Sequence, residues 1–172
     1  MGRGVRPNTT TREASGVRYM GVYRLCDNIR VASYGHNNHP AEDVESKIAQ
    51  VLSANAAQMH PRLSVADRDI GMIHYETSRY AMYVSVTVHD YPQRVIFKCL
   101  AELRGRFEDG FGDALHKAEE GGLSKAACPV MVELCTKFAD ATSVDKTLHV
   151  IKDVDEVWHI GIPKVMKAPT RT

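Results

Sequence analysis

Residues 80–89 read Tyr80-Ala81-Met82-Tyr83-Val84-Ser85-Val86-Thr87-Val88-His89. The residues are mostly aromatic or β-branched, and they alternate with period two, as a strand requires. One side carries Tyr80, Met82, Val84, Val86 and Val88; the other carries Ala81, Tyr83, Ser85 and Thr87. The second set is only mildly polar. A strand with one wet face would place charges there, so this stretch predicts a sheet covered on both faces.

Working outward, Ile70 to Tyr75 and a short Leu63-Ser64-Val65 segment read as two preceding strands. Downstream, Pro92 opens a helix carrying Ile96, Cys99, Leu100, Leu103 and Phe107 at i, i+3/4, i+7 spacing. Gly110-Phe111-Gly112 is expected to break it, and a third helix is expected from near Pro129, carrying Val130, Leu134, Cys135 and Phe138. At the other end, Val17 to Leu25 and Ile29 to Tyr34 form a hairpin around the turn chemistry of Cys26-Asp27-Asn28. A helix then spans about 40–59. Glu42, Asp43 and Glu45 in its first turns complement the dipole, and Val44, Ile48, Val51, Leu52 and Met59 form its apolar stripe. Asn55 interrupts that stripe and Pro61 ends it. The expected fold is α/β of the α+β type: a five-stranded, mainly antiparallel sheet with the 40–59 helix on one face and two helices on the other.

The totals narrow the function. A chain of 172 residues with 44% apolar and 25% charged residues is one ordinary globular domain. A net charge of +1 gives no field that would draw it to nucleic acid or anionic lipid. Residues 1–16 lack periodicity and an apolar run, so they read as a disordered tail without a secretory signal. No apolar stretch approaches the roughly 20 residues of a spanning helix. Arg6 stands where a myristoylation signal wants Ser or Thr, and Ala168 to Thr172 offers no cysteine for a prenyl group. The four cysteines, Cys26, Cys99, Cys128 and Cys135, lack the two-residue spacing of a zinc or redox site. A cytoplasmic chain without a membrane anchor is expected.

Candidate chemistry is sparse. His36 and His39 in His36-Asn37-Asn38-His39 supply half a metal site at most, and read better as a polar turn before a helix. Cys99 and Cys135 sit on apolar stripes, where cysteine is usually a small core residue. Arg104-Gly105-Arg106 is a short basic spot among Glu102, Glu108 and Asp109, and there is neither a GxGxxG nor a P-loop. No catalytic set can be assembled, so the expectation is a non-enzymatic chain with no cofactor and no metal.

Three segments carry a family resemblance. Asp90-Tyr91-Pro92-Gln93-Arg94-Val95-Ile96-Phe97 resembles the strand-to-helix junction of longin-domain R-SNAREs, particularly the prenylated ones. Leu134-Cys135-Thr136-Lys137-Phe138-Ala139-Asp140 and the residues to Lys146 resemble the end of that domain and its linker to the SNARE motif. Val150 to Ile160 (VIKDVDEVWHI) resembles the opening of an R-SNARE helix, with Val150, Val154 and Val157 four and three apart as a heptad requires and Trp158 extending the seam. Two departures stand out. The first strand starts about sixteen residues late, and Gly161, Pro163 and Pro169 interrupt the SNARE helix, each proline costing roughly 3 kcal/mol in a helix interior.

The resemblance implies a longin (profilin-like) fold, with a tail at 1–16, the longin domain at 17–138, a linker at 139–143, the start of a SNARE helix at 144–160 and an irregular tail at 161–172. It implies partners that are SNARE helices, its own or another protein's, and trafficking proteins. By position, the family's groove between the first helix and the third strand falls on Val51, Leu52, Leu63 and Val65. A monomer is expected, peripheral on Golgi, endosomal or vesicle membranes, unable by itself to drive fusion. The alternative is a longin-fold scaffold subunit of a vesicle coat or tethering complex. Residues 144–160 discriminate between the two, because a coat subunit has no use for the Val-Asp-Glu-Val heptad.

Overall fold

A computed structural model of the chain describes residues 15–36 and 41–145. Strands β1 (Val17–Arg24) and β2 (Arg30–Gly35) are followed by helix α1 (Ala41–Ser53) and a single turn α2 (Ala56–Met59). Strands β3 (Arg62–Asp67), β4 (Gly71–Thr77) and β5 (Ala81–Thr87) come next, then α3 (Gln93–Leu115), α4 (Ser124–Lys137) and a last turn α5 (Ala141–Val144). The strands form one antiparallel sheet in the order β2-β1-β5-β4-β3.

β5 is the middle strand and is buried along its whole length. Its alternation sorts residues to two cores. Ala81 and Tyr83 join Met20, Val22, Leu100, Leu103, Met131 and Leu134 beneath α3 and α4. Met82, Val84 and Val86 join Tyr19, Ile48, Leu52 and Tyr75 beneath α1. The sheet is covered on both faces, with one long helix on one side and two on the other, as the pattern of residues 80–89 predicts.

Local rules misplace several boundaries. α3 does not break at Gly110-Phe111-Gly112 but runs on to Leu115. Each glycine costs about 1 kcal/mol relative to alanine in a helix. Against that, Phe111 packs on Phe107 with ring centroids 5.1 Å apart, and Leu115 is buried. The Arg24 guanidinium, buried and forked onto Asp27, donates to the Leu115 and Ala118 carbonyls at 2.9 Å each. The first of these contacts satisfies a carbonyl that the helix end would otherwise leave unpaired, and the second ties down the turn that follows.

α4 begins at Ser124 rather than near Pro129, which lies inside the helix. The proline removes one backbone bond, but Ala127, Met131, Leu134 and Cys135 keep the helix seated on the core. Met59 is 74% exposed instead of joining the first helix's stripe. Asn55 takes the left-handed conformation (φ 57°), which turns α2 off the axis of α1 and hands the inward position to Ala57.

The Asp90-Tyr91-Pro92 corner ties the ends of the domain together. The Tyr91 hydroxyl donates to the Phe138 carbonyl at 2.7 Å, and the Gly16 amide donates to Ala139 O at 2.7 Å. A Cβ on Gly16 would stand 2.4 Å from the Tyr91 ring, so only glycine fits there. Asp140 caps α5 by accepting from Thr142 N at 3.0 Å, within the expected linker, and Arg94 pairs with Asp145 at 2.6 Å.

Candidate functional site

α1 carries Val44, Ile48 and Leu52 four apart, all buried against the sheet. Its flanks are tied to both sheet edges. Glu45 pairs with Arg30 of β2 and accepts from the Ser33 hydroxyl at 3.3 Å. Lys47 pairs with Asp67 of β3 at 3.4 Å. The helix therefore lies across the sheet, with a seam along β3.

Of the four residues expected to line a groove, Val51 on α1 and Leu63 and Val65 on β3 lie on the α1 face of the sheet, whereas Leu52, seven residues after Glu45, turns toward β2 beside Tyr23 and Ile29. Leu52 is buried; Val51 on α1 and Leu63 and Val65 on β3 are half-buried against the same apolar cluster. Leu63 and Val65 face α1 because they share strand parity, while Ser64 between them faces α3. Two further residues, Leu25 and Ile70, are half-buried against this cluster. Their place at strand ends hid them from the sequence reading. At the β3–β4 turn, beside Ile70, is a separate cleft of about 530 Å³ lined by Arg18, Asp43, Lys47 and Asp69 but by none of the four expected groove residues. Arg18 donates to the Ile70 carbonyl there at 2.9 Å. Val150, Val154, Val157 and Trp158 lie outside the described residues.

Three tyrosine hydroxyls lie beneath α1, two on β1 and one on β4. The Tyr19 and Tyr23 hydroxyls bond each other at 2.9 Å; burial above all holds Tyr19 well up and pushes Tyr23 up to about 12. The Tyr75 hydroxyl, beside Leu63 in the sheet, is buried without a partner among the described residues, and burial raises its pKa.

On the opposite side of β3, three hydroxyl and imidazole groups line up. The Thr87 hydroxyl donates to Val88 O at 3.0 Å, so it accepts from His74 Nε2–H at 2.9 Å. His74 Nδ1 then accepts from the Ser64 hydroxyl at 2.6 Å, and Ser64 Oγ accepts from the Gln93 amide at 2.7 Å. Burial lowers His74 to about 4, so the imidazole is neutral at physiological pH. This row braces β3, β4, β5 and α3, and it is invisible in the sequence because its members sit on different strands and a helix. Cys99 and Cys135 are core residues as expected, with thiol pKa values raised by burial, Cys135 to about 12. Among the described residues, no three His, Cys, Asp or Glu side chains gather to hold a metal ion.

A sheet in the order β2-β1-β5-β4-β3, with α1 on one face and α3 and α4 on the other, defines the longin class of trafficking-related regulatory modules. The longin family model, described as a regulated-SNARE-like domain, matches residues 31–129, and the chain belongs to this family. No curated protein matches it. No helix among the described residues is long and apolar enough to cross a membrane.

Proposed function

We propose that the chain is the regulatory part of an R-SNARE, whose longin domain receives an apolar segment along the α1–β3 seam. The segment is the chain's own 144–160 stretch, or the equivalent stretch of a trafficking partner. The observation that supports this best is that Val51, Leu63 and Val65, all only half-buried, pack against one apolar cluster on one side of the sheet. Covering on the order of 100 Å² of apolar surface is worth about 2.5 kcal/mol before ordering costs. Ordering the segment takes back much of that gain, which leaves the docked state weak enough to release it to a partner helix. The Val150, Val154 and Val157 spacing favours the R-SNARE reading over a coat or tether subunit. The proposed location is the face of Golgi, endosomal or vesicle membranes, reached through partners.

Amide hydrogen exchange tests the reading. The 172-residue chain should show stronger protection at residues 44–53 and 62–67 than a variant with Val150, Val154, Val157 and Trp158 all changed to Ser. Equal exchange in both would remove self-docking from the proposal.

A further inference from the structure

Residues 138–145 are fastened to the domain at three points. The Tyr91 hydroxyl donates to Phe138 O, the Gly16 amide donates to Ala139 O, and Arg94 Nη2 pairs with the Asp145 carboxylate at 2.6 Å. Val144 packs against the core beneath α3 and α4. The last described residue therefore lies on the α3 side of the sheet, across β3 from the seam. The third fastening is lopsided: the Asp145 side chain is buried, while that of Arg94 is more than half exposed.

Arg94 also stands next to β3. It lines a cleft of about 450 Å³ together with Arg62, Leu63, Ser64, Gln93 and Phe97. The Gln93 amide donates to Ser64 Oγ at 2.7 Å, so the first turn of α3 abuts the strand whose Leu63 and Val65 face the seam. From this placement we infer that Arg94 is a positioning residue for docking: by holding Asp145, it anchors the following segment beside β3 and shortens its tether. The inference rests on the docking reading of the α1–β3 seam and adds what regulates it.

The lengths set the size of the effect. An extended chain advances at most about 3.3–3.6 Å per residue, so Val150, five residues after Asp145, lies within about 18 Å of the anchor. Without the pair, the next fastening back is Ala139, and the tether grows from five residues to eleven. Effective concentration falls as roughly the 3/2 power of tether length, which is about threefold here. A partner's segment competes with the chain's own at that concentration, so the Arg94–Asp145 pair sets how much partner is needed to take the seam. Taking the guanidinium from a buried carboxylate favours turning that carboxylate out to water, and α5 is a single turn with little else to hold it.

The test is a competition read by fluorescence anisotropy, with a fluorescein-labelled synthetic peptide of residues 146–160 added to the 172-residue chain. Arg94→Gln should bind the peptide more tightly than the unmodified chain, by up to about threefold, because its tethered competitor is weaker. Asp145→Asn breaks the pair from the other side and should match it, whereas Arg94→Lys keeps the charge and should stay near the unmodified chain. With Val150, Val154, Val157 and Trp158 all changed to Ser, the chain has no competitor of its own, and adding Arg94→Gln should change nothing. Equal affinity of the unmodified chain and Arg94→Gln would overturn the anchor and leave the docking reading standing. An Arg94→Gln effect that persists in the chain with the four Ser changes would mean that Arg94 touches the peptide directly, and would also overturn it. No peptide binding by that chain would overturn the docking reading and the anchor with it.

Discussion

The face of the sheet under α3 and α4 and the face under α1 solve the same burial problem with different resources. Five strands at roughly 4.8 Å spacing present a surface about 19 Å wide, and a packed helix covers about 10 Å of it. Two helices close the first face, and residues such as Ile96, Leu100, Leu103, Met131 and Leu134 are sealed completely. One helix of 13 residues cannot close the second. It is tied by ion pairs to both edges, and what it leaves over is the seam of Val51, Leu63 and Val65. The open seam is a consequence of helix count, and the closed face supplies the stability that lets it stay open.

The sharpest contrast between the faces comes from truncation. Leu100→Ala on the closed face should cost about 2–4 kcal/mol through lost transfer energy and a cavity, read by urea melts. Val65→Ala at the seam should cost under about 1 kcal/mol, because the site already borders water and the lost methyl groups leave no sealed void. Equal costs would mean the two faces are packed alike.

The bracing row on the α3 side predicts a pH effect of similar size. His74 is lowered to about 4 from an unfolded value near 6.5, so the unfolded chain binds the extra proton first. Its contribution, about 3 kcal/mol, is complete above pH 6.5 and is lost as pH falls from there toward 4. A His74→Gln variant should flatten that part of the stability profile. An unchanged slope would show that His74 does not carry it.

The smallest effects separate partnered from unpartnered hydroxyls. Tyr91→Phe removes the 2.7 Å bond to Phe138 O and should cost about 1–2 kcal/mol by thermal melt, since a buried carbonyl loses its donor. Tyr75→Phe, under the seam, removes a hydroxyl that has no partner among the described residues and should be neutral or slightly stabilising. The opposite order would reverse this assignment of the two hydroxyls.

Much of the fold was legible because it rests on periodicity. Residues 80–89 give the doubly covered strand, and the strand parity of Leu63 and Val65 fixes which face they take. The groove positions themselves came through the family resemblance, since a half-buried valine in a strand has no pattern that marks it as exposed to a partner. Helix limits were misjudged at Gly110, Gly112 and Pro129, where local breaking tendencies of one to a few kcal/mol lose to buried side chains such as Leu115 and Met131. Arg24 and His74 were illegible for a different reason. Arg24 meets carbonyls some 91 and 94 residues away, and His74 meets Ser64 and Thr87 on neighbouring strands, and no sequence spacing encodes such meetings.

The claim that the α1–β3 seam is a docking face can be read from Trp158, the chain's single tryptophan. The account predicts a blue-shifted emission with restricted quencher access in the full chain, moving toward that of free indole when Leu63 and Val65 are both changed to Ser. Emission like indole in water with full quencher access in the unmodified chain, or a shielded indole that ignores the double change, would contradict it.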